Sequence, residues 1–313
     1  MTPRPAQASR PKAVLIAGPT ASGKSAAALA LAERFGGTVI NADSMQVYRE
    51  LPILAAHPAP DERARAPHRL YGTIAAAEAY SVGRWLDDAK QAIGDAAAEG
   101  RVPILAGGTG LYFKALQEGL APVPDVPPEI RNLWRDRAAT LGAETLHREL
   151  DARDPLMAAR IPPTDSQRIV RALEVIDATS ISLADWQGAG AAPVLAPDCV
   201  VKLVIAPERA PLYAAIDARF DRMLEAGAIE EVGALLALGL DPGLPAMRAH
   251  GVRELAGHLS GRTTRAEAVA KAKTETRRYA KRQMTWLKRF MKDWDWAPDG
   301  AAATAAVTAR IHH

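Results

Sequence analysis

Cysteine is almost absent: Cys199 is the single one among 313 residues, so no disulfide can form within the chain. It lies in the apolar run Cys199-Val-Val-Lys-Leu-Val-Ile205 and is expected to be an inert buried thiol. Long apolar stretches are missing as well. No run approaches the roughly 18 residues of a membrane span, and the opening MTPRPAQASRPK has no apolar signal-peptide core. A cytoplasmic protein with no membrane partner is expected. Net charge is slight, 39 Lys and Arg against 36 Asp and Glu. No internal repeat is visible, and the length suits one main domain with an added piece.

The charge that is present is unevenly placed. Residues 273–289, KTETRRYAKRQMTWLKR, carry seven Lys or Arg against one Glu, with Tyr279 and Trp286 interleaved. Such a stripe suits an anionic polymer. The same helix has an apolar seam of Ala280, Met284, Leu287 and Met291 that suits packing on a core, and one helix can do both.

The most specific local pattern is AVLIAGPTASGKSAAALALAERF, residues 13–35. Val14, Leu15 and Ile16 read as a short buried strand. It runs into Gly18, Pro19, Thr20, Ala21, Ser22, Gly23, Lys24 and Ser25, and then into a helix. Gly18 and Gly23 permit a tight turn, and the N–H groups opening the helix face an anion. Lys24 adds positive charge for terminal phosphates, and the Ser25 hydroxyl suits Mg²⁺. The pattern is shared with ATP-binding loops, yet ATP, GTP and any other diphosphate ester present the same oxygens. It defines a phosphate site and leaves the ligand open.

Strands are expected at 13–17, 38–41, 102–106 and 199–205, and helices at 24–35, 81–98 with Ser81 as N-cap, 110–118, and much of 211–290. This alternation indicates an α/β fold, a parallel sheet flanked by helices. Between Ala121 and about Pro197 it stops. APVPDVPPEI leads in, GAGAAPVLAPD leads out, and the three segments between them have helical spacing. The expected organisation is therefore a core of 1–121 and 198–313 with a helical insertion at 122–197. The Ala-rich tail after Asp299 reads as weakly ordered.

Two further strand ends should share the cleft of the phosphate loop, because ligands gather at the carboxyl ends of parallel strands. Val102 to Ala106 leads into Gly107-Gly-Thr-Gly110, where Thr109 can bond a phosphate oxygen or cap the next helix. Thr38 to Asn41 delivers Asp43, Ser44, Met45 and Gln46. Asp43 can be an N-cap, a second-shell magnesium partner or a general base. Ser44 and Gln46 can form directional hydrogen bonds to a heterocycle.

These stretches together resemble the tRNA dimethylallyltransferases, or tRNA isopentenyltransferases, over nearly the whole chain. The resemblance is carried by GPTASGKS (18–25), NADSMQVYR (41–49), PHRL (67–70), YSVGRWLDDA (80–89), PILAGGTGLYFKAL (103–116), RIPPTDSQRIVRALEV (160–175), RFDRMLEAGAIEEV (219–232) and TRRYAKRQMTWLKRF (276–290). It implies a P-loop kinase-like core with a helical insertion. The loop would hold the diphosphate of dimethylallyl diphosphate, and the five-carbon group would pass to N6 of adenine 37 in tRNAs reading codons that begin with U. Asp43, Thr109 and Arg219 would be catalytic, with Arg219 carried over from the RFxxML match, and Mg²⁺ would sit at Ser25. Contacts to the tRNA anticodon stem-loop are implied for Asp43 to Gln46, Thr109, Arg131, and Gln167, Arg168, Ile169, Val170 and Arg171. Arg278 and Lys281 of the basic stripe join them, and a monomer is expected.

Two stretches depart from the family's pattern. Glu50-Leu-Pro-Ile-Leu-Ala-Ala-His57-Pro58 lacks the usual Gly-Thr pair and has His57 where a lysine is common. Val252 follows Gly251 where tyrosine is common. Rival readings are an adenylate isopentenyltransferase acting on AMP or ATP, a small-molecule P-loop kinase, and an RNA-binding nucleotide switch.

Overall fold

Alternation along four apolar runs gives one sheet two buried faces. The structure, a computed structural model, describes residues 12–190, 192–196 and 199–312. Strands β1 (Ala13–Ala17), β2 (Gly37–Asn41), β3 (His68–Arg69), β4 (Val102–Gly107), β5 (Val200–Ile205) and β6 (Asp295–Ala297) form a sheet in the order β3-β2-β4-β1-β5-β6. Every pairing is parallel. On one face Val14, Ile16, Val39, Ile104 and Leu203 pack under helices α1 (Lys24–Phe35) and α14 (Gly300–His312). On the other, Leu15, Ile40, Leu105 and Val204 pack with Trp85, Phe113 and Phe220. The expected α/β class and parallel sheet are both present.

The remaining helices of this unit are α2 (Pro60–Arg65), α3 (Val82–Ala98) and α4 (Gly110–Glu118), followed after the insertion by α10 (Arg209–Glu225), α11 (Ala228–Ala237), α12 (Val252–Leu259) and α13 (Arg265–Phe290). Ser81 caps α3 as expected, its Oγ accepting from the Arg84 N–H. The chain divides into two compact units, one running to Gln117 and resuming at Val194, the other Glu118–Pro193. The second unit is helical throughout its described regular structure: α5 (Pro128–Thr140), α6 (Ala143–Arg153), α7 (Pro155–Ala158), α8 (Ser166–Thr179) and α9 (Leu183–Gly188). It has its own core around Trp134, Leu146, Leu150, Ile169 and Leu173. Trp134 Nε1 donates to Asp177 at 2.9 Å, and the buried Asp154 carboxylate accepts from the Met157 N–H and the Ser182 hydroxyl.

Three expectations need correction. The tail after Asp299 is the helix α14, with Ala303 and Val307 fully buried. Alanine favours a helix, and this one packs closely, since a Cβ on Gly300 would lie 3.3 Å from the Gly23 carbonyl oxygen and 3.5 Å from Ala27. Cys199 precedes β5 and is half-buried rather than buried within it. The edge strands β3 and β6, two and three residues long, were not expected because so few residues carry no period. Among the described residues no helix is long and apolar enough to cross a membrane.

Candidate active site

Three strand ends meet at one cleft. After β1 the loop turns so tightly at Gly18 that a Cβ there would lie 2.6 Å from Ser22 Oγ and 2.8 Å from the Ile205 carbonyl oxygen. Ala21 and Gly23 both take positive φ, 62° and 87°, and Gly23 caps α1 with no side-chain hydrogen bond. The first N–H groups of α1 therefore remain available to an anion. Ser22 Oγ is buried with no partner among the described residues, while Ser25 is exposed at the second position of α1.

Two cations converge on this loop. Lys24 is only 8 % exposed, and its Nζ donates to the Pro19 carbonyl at 3.2 Å. Burial pushes its pKa down to about 8, Asp43 opposes that shift, and Arg219 adds to it. Arg219, from α10, donates to Thr20 Oγ1. Burial lowers its pKa too, again against the pull of Asp43. The site thus holds two poorly solvated positive charges, a setting that favours a multiply charged anion.

Asp43 follows β2 in a tight turn. Its N–H donates to Asn41 Oδ1 at 2.8 Å, and its own Oδ1 accepts from the Met45 N–H at 3.0 Å. Oδ2 accepts no hydrogen bond among the described residues and lies 3.3 Å from where a Cβ of Gly108 would be. One oxygen holds the turn and the other is free, so the cap and base roles are compatible. Asn41 fixes this turn by donating to the Asp43 and Leu70 carbonyls at 2.9 and 3.1 Å, and its own carbonyl accepts from Trp85 Nε1.

The turn after β4 touches the other two. A Cβ on Gly107 would lie 2.0 Å from the Ala42 carbonyl oxygen, and one on Gly110 would lie 2.1 Å from the Trp286 ring. Thr109 does not cap α4 with its hydroxyl. Its Oγ1 accepts from the Ser44 N–H at 3.0 Å and donates to Ser44 Oγ at 3.3 Å, which joins the second and third strand ends.

Thr20, Lys24, Ser25, Asp43, Met45, Gln46 and Arg219 line one cavity of about 760 Å³ including its open mouth, together with Phe220, Met223, His250 and Tyr279. The Gln46 amide is already oriented, Nε2 donating to the Ala55 and Ala56 carbonyls at 3.0 and 2.8 Å. That departs from a purely ligand-facing role and leaves Oε1 as its acceptor. The unusual loop after Glu50 is held in turn by Glu231, whose carboxylate accepts from the Ile53 and Leu54 N–H groups at 2.7 and 2.9 Å. Burial and Arg63 push the His57 pKa down to about 4, so this side chain is neutral at neutral pH and supplies no lysine-like charge. Val252 is 1 % exposed and belongs to the core.

The other expected nucleic-acid contacts are scattered. In the helical unit Gln167, Arg168 and Arg171 are exposed and Val170 is half-buried. Arg168 pairs with Asp165 and Arg171 with Glu174. Ile169 is fully buried, so its side chain packs and offers nothing to a partner. Arg131 is half-buried and donates to the Val126 carbonyl at 3.4 Å. Arg278 is exposed and bonded to Glu275 at 2.6 Å. Lys281 lines a separate groove with Arg209, Met284, Lys288 and Trp296. Two contributors, His250 and Gln283, escaped sequence reasoning, and Tyr279 stood out only as an aromatic of the basic stripe. His250 and Tyr279 are paired at the cavity with ring centroids 4.3 Å apart, with the Arg282 guanidinium 5.8 Å from the Tyr279 ring centre. Gln283, on the buried seam of α13, bonds to both glycine turns. Its one signal was a polar residue between Ala280 and Leu287 on an apolar seam.

The model of the IPP transferase family matches residues 46–290, and that of the isopentenyl transferases matches residues 11–76. A tRNA dimethylallyltransferase of Rhodopseudomonas palustris is 54% identical over 294 residues, 94% of this chain and 93% of the relative. One of Azorhizobium caulinodans is 50% identical over 309 residues, 98% of this chain and 99% of the relative. Among solved structures, the full-length tRNA isopentenylpyrophosphate transferase of Bacillus halodurans aligns with a TM-score of 0.69 at 32% identity, covering 96% of this chain and 97% of that one. A eukaryotic dimethylallyltransferase acting on tRNA aligns with a TM-score of 0.76 at 28% identity, covering 88% of this chain and 69% of that one.

Proposed function

The chain belongs to the tRNA dimethylallyltransferase family, and on that premise we propose that it moves the dimethylallyl group of dimethylallyl diphosphate onto N6 of adenine 37 in tRNAs reading codons that begin with U. The observation that carries this reading is a carboxylate with one oxygen unbonded among the described residues, sharing a cavity with the buried Lys24, the half-buried Arg219 and the phosphate loop. Cations and a carboxylate would also serve a kinase; the family decides between the two, and the unbonded Asp43 oxygen suits an amine acceptor.

The adenine amine is a weak nucleophile because its lone pair is delocalised into the ring. As N6 attacks the allylic carbon, a C–N bond forms, the C–O bond to diphosphate breaks, and the N6 proton passes to Asp43 Oδ2. Charge growing on the departing diphosphate is met by Lys24, Arg219 and the N–H groups opening α1. Thr109 holds Ser44, and through it the segment that carries Asp43. A base held in the anticodon stack must be extruded to reach this cavity, at a cost of a few kcal/mol. The paired His250 and Tyr279 rings give this cavity an aromatic wall.

Mg²⁺ fits the residues present. Among the described residues no group of three or more His, Cys, Asp or Glu is gathered into a cage, and Mg²⁺ typically binds through one or two protein oxygens together with phosphates and water. Ser25 would be that protein ligand, and the ion would neutralise diphosphate charge. This reading also takes the chain to act as a cytoplasmic monomer.

The test is transfer of label from dimethylallyl diphosphate, with Mg²⁺, to tRNA or to AMP. Label in tRNA is the expected result, label in AMP would make the enzyme an adenylate isopentenyltransferase, and ATP hydrolysis without transfer would make it a kinase or switch.

A further inference from the structure

Helix α13 buries Ala272, Thr276, Ala280, Gln283 and Leu287 along one seam. Thr276 satisfies its hydroxyl within the helix, on the Ala272 carbonyl. Gln283 does not. Its side chain is 6 % exposed, and its Oε1 accepts from the Thr20 N–H at 2.9 Å while its Nε2 donates to the Gly108 carbonyl at 2.9 Å. One amide therefore ties the phosphate loop to the turn after β4. One helical turn later, Trp286 closes on Gly110 of that same turn.

We propose that Gln283 is a positioning residue that sets the spacing between the diphosphate cradle and the Asp43 base. The proposal rests on the function argued above and adds to it a residue that is not among those lining the cavity. Thr20 donates its N–H to Gln283 and accepts from the Arg219 guanidinium at its Oγ1, so the amide that holds the Thr20 backbone also aims Arg219. At the other end, a Cβ on Gly108 would lie 2.2 Å from Gln283 Nε2 and 3.3 Å from Asp43 Oδ2. The Gly108 backbone is thus wedged between the clasp and the base.

Only an amide does this without cost. A leucine would leave a buried N–H and a buried carbonyl unpaired. A carboxylate would keep Thr20 but set an oxygen against the Gly108 carbonyl. Loosening either end lets the leaving group and the base drift apart by tenths of an ångström, and transfer is sensitive to displacements on that scale.

Gln283→Leu is expected to lower kcat for tRNA prenylation by about 10- to 100-fold, with dissociation constants for dimethylallyl diphosphate and tRNA changed by less than about threefold. Hydrogen exchange at the Thr20 amide should accelerate in the same variant. If Q283L does not fold, Q283E keeps the Thr20 bond and should give a smaller loss of kcat. A double-mutant cycle separates positioning from packing. Gly108→Ala should slow transfer in the wild-type background and cost little more in Q283A, where the amide it strikes is gone. Wild-type kcat in folded Q283L, unchanged Thr20 exchange, or strict additivity of G108A and Q283A would each overturn the clasp. If the wild-type chain prenylates nothing, the proposed function falls instead, and the clasp is judged on Thr20 exchange and diphosphate affinity.

Discussion

The two units hold their basic residues in opposite settings. In the core, Lys24 is 8 % exposed and Arg219 is pushed down in pKa by burial. In the helical unit, the Arg168 and Arg171 side chains are 74% and 44% exposed, each in an ion pair three residues away. Desolvating a cation is costly, and a fold retains such a group where an anion will compensate it. An exposed pair contributes on the order of 0–1 kcal/mol and constrains little. The core's cations should therefore govern chemistry and the helical unit's should govern attraction.

The strongest test of that division is at Asp43, the charge shared by both core cations. Asp43→Asn preserves the turn made by Oδ1 and removes the base. Turnover is expected to fall by roughly 10² to 10⁴, with tRNA affinity nearly unchanged in a filter-binding titration. An equal loss of tRNA binding would erase the contrast by making Asp43 a recognition residue.

Lys24 tests the cost side. Its pKa near 8 in the empty site lies below the ordinary 10.5, so between those values the unfolded chain holds more protons than the folded one. Stability of the empty protein should then rise as pH rises across that interval, the reverse of a salt-bridged lysine. Diphosphate requires the charged form, so its dissociation constant should be flat below about pH 8 and weaken by up to about tenfold per unit above it. Calorimetric titration across pH 7 to 10 measures this directly. Lys24→Met should abolish that pH dependence, weaken donor binding and raise the Tm of the empty protein.

What sequence disclosed and what it concealed follow the same physical line. The phosphate loop, the Gly107–Gly110 turn and the Asp43 segment are each contiguous, and in the first two the glycines that approaches of 2.0–2.8 Å require stand within a few residues of one another, even where the atom approached is far away in the chain. Such constraints leave a pattern within a few residues. The Gln283 clasp spans 263 and 175 residues, and no local pattern encodes a partner that far away. Glu231 likewise reaches 178 and 177 residues back to Ile53 and Leu54. Helix α14 was hidden for another reason: its alanines have little contrast in polarity, so neither face stood out until Ala303 and Val307 were seen against α1. The parallel sheet and its two covered faces were legible because β1, β2, β4 and β5 are each five or six largely apolar residues, whereas the order of the strands came only from the structure.

The smallest expected effect is in the helical unit. Arg168 and Arg171 lie on α8, whose inward face is secured by Ile169, Ala172 and Leu173 without help from either guanidinium. Replacing both with alanine breaks two exposed pairs, so unfolding free energy should change by no more than about 1 kcal/mol. If both meet tRNA phosphates, the slope of log K against log salt should flatten by roughly 0.7 to 0.9 per lost contact. The loss should be similar for tRNAs with and without the target adenine, because phosphate contacts carry no base sequence. Saturating tRNA should restore wild-type kcat, which no substitution at Asp43 or Lys24 should allow. A double variant that lowers kcat at saturation would place these arginines with the core's chemistry and dissolve the distinction between the two units.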